Sequence, residues 1–346
     1  MFYQKYSLLA LYLWALAAPD LVASQTLTSP VTVAPAAAQE AKGLNDWLRR
    51  MHEVSKNRAY IGTYVVSSGG QMQSAKIWYV CEAGQQTERV ETLTGAPRST
   101  FRHNDKIVTF MPEQKLVRHE KRDTFGSFPE IVQSSDHRIS DYYRLKLEGS
   151  ERIAGVEADI ALLVPKDTMR FGYRVWTEQK KGLVVKLQTL DVDGQVLEQA
   201  AFSELLMDAP VKSDKLLQMM AKVDGYRVEQ PALVKTTASA EGWQLPASVA
   251  GFKPMSCYKR PAAAGATAAE ASGMQDAMQW VFSDGLASVS LFVQPYDRLR
   301  HGKESAMSMG ATHTLTRQIG NYWLTAMGEV PMTTLKQFAI SLERKK

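Results

Sequence analysis

The sequence predicts an α+β protein in two parts: a long antiparallel β meander, then a smaller antiparallel sheet carrying one packed helix. Three observations predict it. Residues Leu44 to Met51 space their apolar side chains for a helix, and the chain then changes to a strand with a period of two from Tyr60. Short alternating segments broken by turn residues occupy the chain from Tyr60 to about Leu206. Beyond an unpatterned stretch, a second group of strands ends in an amphipathic helix.

The elements follow in order. Lys5 and the apolar run Ser7 to Ala18 read as a signal peptide, too short to span a bilayer, over residues 1–24. Cleavage is expected near Leu21-Val22-Ala23-Ser24, with Ala15-Leu16-Ala17 as a competing site. No Cys stands there to carry a lipid anchor. Residues 25–40, rich in Ala, Pro, Thr and Val, read as a flexible tether. Leu44, Trp47, Leu48 and Met51 then form one apolar stripe, with Arg49, Arg50 and Glu53 opposite. In the first strand Tyr60, Gly62, Tyr64 and Val66 alternate with Ile61, Thr63 and Val65, so both faces are apolar. Such a strand belongs to a sheet covered by helices or curled around an interior.

Ser67-Ser68-Gly69-Gly70 turns that strand into a second over Met72 to Cys81, and Asn104-Asp105 turns a hairpin between Ser99–Arg102 and Ile107–Phe110. Further strands are expected at Asp159–Val164, Gly172–Glu178, Leu183–Leu190 and Val196–Phe202. Asp191-Val192-Asp193-Gly194 lacks the spacing and distal Glu of a calcium loop and reads as a turn. Two departures interrupt the meander: the apolar loop Phe125-Gly126-Ser127-Phe128-Pro129, and a short helix over Ser135 to Tyr143. The first domain is placed at residues 41–210, a helix (Ser213 to Val223) and linker at 211–242, and the second domain at 243–346. In the latter, Ser283-Asp284-Gly285 turns between apolar strands, and Leu335, Phe338, Ala339 and Leu342 line the core side of the closing helix.

The opening from Leu44 to Val66, the segment Phe282-Ser283-Asp284-Gly285-Leu286 and the turn Met327-Gly328-Glu329-Val330-Pro331 resemble, in that order, the MucB/RseB family of envelope-stress (sigma-E/AlgU) regulators. The resemblance implies a first domain built as an unclosed antiparallel β-barrel with helices in its mouth, similar to lipoprotein carriers. It implies a periplasmic protein, not an enzyme, that binds the periplasmic domain of a single-pass anti-sigma factor (RseA/MucA-like) and shields it from proteolysis. Lipopolysaccharide or another acylated amphiphile is the implied signal. A lipid or lipoprotein carrier is the alternative, against which the second domain argues. The Ala-rich insertion from Pro261 to Ser272 and the cysteines Cys81 and Cys257 depart from the family pattern.

The formal charge of +5 mildly favours acidic partners, an acidic peptide or lipid phosphates, and nucleic acid is not expected. Two distant cysteines read as separate buried thiols, with an interdomain disulfide as the alternative. The six histidines show no metal-ligand spacing, and no nucleophile elbow, phosphate loop or dinucleotide fingerprint occurs, so neither catalytic residues, cofactor nor metal is expected. Self-association stays open. The polar feature is Lys115, Arg118, His119, Lys121 and Arg122, just before the Phe125–Pro129 loop. Lys115, Arg118, Lys121 and Arg122 form a candidate rim for an anionic ligand or partner, and Phe125, Phe128, Trp78 and Tyr142 a candidate apolar mouth. A charged hairpin edge that discourages aggregation, and ordinary core packing of the aromatics, account for the same residues.

Overall fold

The computed structural model describes residues 43–51, 58–121, 128, 139–230, 233–260 and 277–345, all within one compact unit. The signal segment and tether assigned to residues 1–40 lie outside the described residues. A helix over residues 43–51, α1, buries Leu44, Trp47, Leu48 and Met51 and leaves Arg49 and Arg50 exposed, which is the expected stripe. Each large apolar side chain so covered contributes about 1.5–3 kcal/mol, far more than intrinsic propensity gives so short a helix.

The first sheet has twelve strands. Two meanders supply most of it: β1 (Arg58–Ser68), β2 (Gln71–Glu82), β3 (Gln85–Thr92), β4 (Ser99–His103), β5 (Lys106–Met111) and β6 (Leu116–Lys121), then β7 (Tyr143–Ile153), β8 (Val156–Pro165), β9 (Gly172–Glu178), β10 (Val184–Leu190) and β11 (Val196–Met207). Because β11 returns to pair with β1, the order is β6-β5-β4-β3-β2-β1-β11-β10-β9-β8-β7, with β12 (Arg227–Glu229) beyond β6. Its two ends do not join, so the barrel is unclosed. It is nevertheless strongly curled. Four strand spacings would put β7 about 19 Å from β11 in a flat sheet, yet the two come within 8 Å.

One expectation is corrected at the edge: the sheet is not wholly antiparallel, because β12 pairs parallel to β6. The chain reaches it after the helix α3 (Ser213–Ala221), whose Leu216 is buried, and arrives at the end where β6 begins. Running on alongside β6 from that end, the chain pairs with it in parallel. The short helix expected over Ser135 to Tyr143 is described only as α2 (Ile139–Tyr142), and Tyr143 already belongs to β7. Residues 135–138 lie outside the described residues. The Asp191–Gly194 segment is a hairpin turn whose Asp191 carboxylate accepts the backbone N–H groups of Asp193 and Gln195.

The second sheet is antiparallel and smaller than the first, with seven strands: β13 (Val234–Lys235), β15 (Lys253–Arg260), β16 (Ala277–Ser283), β17 (Ser288–Pro295), β20 (Tyr322–Gly328), β19 (Thr312–Ile319) and β18 (Ser305–Met309), in that spatial order. Helix α4 (Met332–Ser341) buries Leu335, Phe338 and Ala339, with Leu342 just beyond it, against Phe252, Phe282, Leu291, Leu324 and Ala326. A two-stranded ribbon of β14 (Trp243–Gln244) and β21 (Glu343–Arg344) closes the chain end, with the Arg344 guanidinium over Tyr322 and Trp243. The linker window is stitched to both sheets, by β12 to β6 and by β13 to β15.

Candidate functional site

Strand register divides the first sheet into two faces. Tyr60, Tyr64, Tyr79 and Phe202 share one of them, and α1 and α2 pack on that same face across β7 to β10, against Leu163, Tyr173 and Val175. Tyr60 stacks on Tyr79 at 5.0 Å between ring centroids and meets Phe202 edge-on at 6.0 Å. Phe128 lies 5.4 Å from Tyr64 and 5.2 Å from Phe202. Gly62 makes room for this cluster, since a Cβ there would sit 2.5 Å from Cε1 of Phe202.

From β2 towards β6 the same face turns polar. Register aligns Tyr79, Glu88, Arg102, Ile107 and Glu120 in one row and Ile77, Val90, Thr100, Thr109 and Arg118 in a neighbouring one. Arg102 donates to Glu88 at 3.3 Å, and Arg118 donates to Glu229 of β12 at 3.2 Å. Tyr64 stands at the boundary, its phenol pushed up to about 12 by burial and then by the charge of Glu88. The face is thus aromatic on one side, where Tyr60, Tyr79 and Phe202 are buried, and charged on the other.

The structure brings some of the predicted residues together and separates others. Phe128 and Arg118 share this face. Lys115 is exposed and caps the turn before β6 in the left-handed conformation, at φ 46°. Arg122, Phe125 and the side chain of Lys121 lie outside the described residues. Trp78 does not join the mouth: an odd register step puts it on the reverse face, with the Arg89 guanidinium 4.7 Å and the Lys76 ammonium 5.5 Å from its ring. Tyr142 is elsewhere again, beneath the Arg170 guanidinium at 4.3 Å. Helix α3 packs on that reverse face, setting Met219 and Met220, with Val223 just beyond the helix, against Phe101, Val108, Phe110 and Val117.

Arg170 marks the second constellation, which joins the two sheets. Its Nε donates to Asp167 at 3.0 Å, Nη1 to Asp284 at 2.7 Å and Nη2 to the Ala250 carbonyl at 2.7 Å. Asp284 also accepts from the Tyr143 hydroxyl and from the backbone N–H groups of Leu286 and Ala287. Burial raises its carboxyl above the ordinary range, while Arg170 and those donors act in the opposite direction. Gly251, at φ +84°, lets the backbone approach: a Cβ there would lie 2.8 Å from Tyr142 and 2.9 Å from Arg170. Sequence patterning marks Asp284 only as a turn residue and passes over Arg170, because the pairing spans 114 residues. Among the described residues, no three His, Cys, Asp or Glu side chains converge to hold a metal ion.

Comparison with known proteins covers both sheets. The model of the MucB/RseB N-terminal domain matches residues 43–220, and that of the MucB/RseB C-terminal domain matches residues 237–343. The sigma factor AlgU regulatory protein MucB of Pseudomonas aeruginosa is 26% identical over 321 residues, covering 88% of this chain and 92% of that protein. The sigma-E factor regulatory protein RseB of Escherichia coli K12 is 22% identical over 300 residues, covering 86% and 89%. Among solved structures, the Pseudomonas aeruginosa MucA/MucB complex superposes with a TM-score of 0.67 at 22% identity, covering 88% of this chain and 99% of that one. MucB in complex with the periplasmic part of MucA gives 0.65 at 23% identity, covering 87% and 98%.

Proposed function

The chain belongs to the MucB/RseB family of non-enzymatic sigma-factor regulatory proteins, and on that premise we propose that it works in the periplasm as the ligand-responsive guard of an anti-sigma factor. It binds the periplasmic segment of a single-pass, MucA- or RseA-like protein and keeps that segment from the protease that begins its degradation, which restrains the envelope-stress sigma factor. The observation carrying this reading is the similarity along nearly the whole chain to MucB, a protein solved in complex with the periplasmic part of MucA. The signal-peptide pattern of residues 1–24 supports the compartment.

Release follows from linkage. An acylated anion that prefers the free protein over the complex by a given factor weakens the complex by that same factor. The split face of the first sheet supports such a ligand: acyl chains suit the Tyr60, Tyr64, Phe128 and Phe202 cluster, and phosphates suit Arg118 and its neighbours. Calorimetry of the mature chain with the purified periplasmic segment of its anti-sigma factor tests the reading, alongside protease protection of that segment with and without lipopolysaccharide. A saturable complex that protects the segment and is weakened by lipopolysaccharide is expected. Absence of any complex sinks the proposal, and a complex indifferent to lipopolysaccharide removes its sensing half.

A further inference from the structure

The sheets expose their edges unequally. Strand β7 carries Arg144, Lys146, Glu148, Glu151 and Arg152 and an irregular register between Leu147 and Gly149, all devices that discourage another strand from adding. Strands β12 and β13 offer only three and two residues. Strand β18 is different. Its sequence Ser-Ala-Met-Ser-Met holds no charge and no proline, it pairs with β19 without a bulge, and all five residues are exposed.

Hydrogen bonds fix which way that edge faces. The Ser305 N–H donates to Oγ1 of Thr316, and the same hydroxyl reaches the Ser305 carbonyl, so the backbone groups of Ser305 point towards β19. In an antiparallel ladder the alternate residues, Ala306 and Ser308, then turn their N–H and C=O groups outwards. Both side chains are small and leave those groups accessible. On the α4 side of the edge lies a groove of about 320 Å³ walled by Ala306, Leu315, Ala339 and Ile340. At its rim the Arg317 guanidinium donates to the Ala339 carbonyl and Glu304 accepts from the Gln318 N–H, while Lys336 makes no ion pair among the described residues. Met307 and Met309 project beside the edge with about two thirds of their surface exposed, 64% and 65%, and such thioethers adapt to varied partners.

We propose that β18 is a docking edge for an extended segment of another protein, which joins the second sheet as a further strand hydrogen-bonded to Ala306 and Ser308. Residues two apart in that segment share a face, so its groove side places an aliphatic residue against Ile340 and Leu315 and an acidic one beside Lys336. The main-chain bonds supply affinity and the groove supplies selection. The proposal is separate from the anti-sigma reading and does not depend on which protein supplies the strand.

The probe is a fluorescein-labelled heptapeptide, Val-Thr-Val-Thr-Asp-Thr-Val, read by polarisation against the full mature chain. Saturable binding is expected, weakened about tenfold or more when alternate peptide amides are N-methylated, because each lost main-chain bond removes part of the affinity. Ala306→Pro and Ser308→Pro each remove one outward donor without touching the β19 ladder, and the same loss is expected. Lys336→Glu should weaken this peptide and strengthen its counterpart with lysine in place of aspartate. Equal binding of the methylated peptide, or no binding by the wild type, overturns the proposal, and both readings survive any folding failure of the proline variants. Sedimentation velocity decides the occupant: a dimer that Ala306→Pro dissolves, with no competition by the peptide, makes a second copy the partner and overturns it as well.

Discussion

Nη1 of Arg170 lies 2.7 Å from Oδ2 of Asp284 with neither side chain exposed, and this pair ties the β8–β9 loop of the first sheet to the β16–β17 turn of the second. Desolvating two charges is expensive, and the geometry compensates by satisfying every arm of the guanidinium separately. Asp167 takes Nε, Asp284 takes Nη1 and the Ala250 carbonyl takes Nη2, while Tyr142 and Phe252 lie against the cation. Lysine offers one ammonium and cannot serve three acceptors in a plane.

Removing one partner should therefore cost more than removing both. Arg170→Met leaves Asp284 buried and unpaired, and a loss of about 3–5 kcal/mol is expected in urea unfolding. Combining it with Asp284→Asn should recover part of that loss, because the uncompensated charge is gone. A double variant as unstable as the two single losses added together would show that the residues do not act as a pair.

The domain boundary makes a second prediction. Pairing of β12 with β6 and of β13 with β15 anchors both ends of the linker, so limited proteolysis should enter between those two strands, at residues 230–233, rather than throughout 211–242. The two fragments should then co-elute, held by Arg170–Asp284 and by the hydrogen bond from Thr334 to the Met169 carbonyl at 2.6 Å. In Arg170→Met the fragments should separate. Resistance in that window with cuts elsewhere would misplace the boundary.

Cysteine reactivity provides a third. Cys81 and Cys257 are both buried and unbridged, in agreement with two separate thiols. Burial and then the charge of Glu241 push the Cys257 thiol up to about 11. At pH 8 iodoacetamide should label it slowly in the native protein and rapidly after denaturation, since the thiolate is the reactive species. Native labelling as fast as denatured labelling would contradict its burial.

Tyr64 sets a limit at high pH. Its folded phenol ionises near 12 against an ordinary value of 10, so the folded state holds the proton more tightly than the unfolded one. The contribution is fully present below pH 10 and is lost as pH rises through 12, worth at most about 2–3 kcal/mol. Tyr64→Phe should flatten the stability profile in that window, as followed by urea midpoints. An unchanged slope would assign the alkaline loss to other groups.

Local periodicity made much of this fold legible. The α1 stripe of Leu44, Trp47, Leu48 and Met51 and the α4 stripe of Leu335, Phe338 and Ala339 are buried as their spacing requires, and β9 spans the expected Gly172–Glu178. What periodicity could not supply is pairing at a distance. Trp78 and Tyr79 are sequence neighbours on opposite faces, and an aromatic census cannot assign them without the register. Arg170 carries no local pattern and Asp284 only that of a turn, which says nothing of their pairing, and β18 hides because five uncharged residues give little alternation.

The rim and the aromatic cluster separate the two halves of the proposed ligand site. Arg118 shares a face with Phe128 and already pairs with Glu229, so Arg118→Glu reverses one charge and sets it against that carboxylate. Together with Arg122→Glu, it should weaken binding of lipopolysaccharide or of the anti-sigma segment by more than the roughly 0–1 kcal/mol typical of one exposed charge. Added salt should weaken wild-type binding too, since screening acts over about 8–10 Å. Phe128→Ala removes contacts with Tyr64 and Phe202 and should cost acylated ligands about 1–3 kcal/mol while sparing their deacylated forms. Wild-type affinity in the double reversal, with native circular dichroism, would return Lys115, Arg118, Lys121 and Arg122 to a solvated edge. Equal effects of Phe128→Ala on acylated and deacylated ligands would leave the aromatic cluster as core.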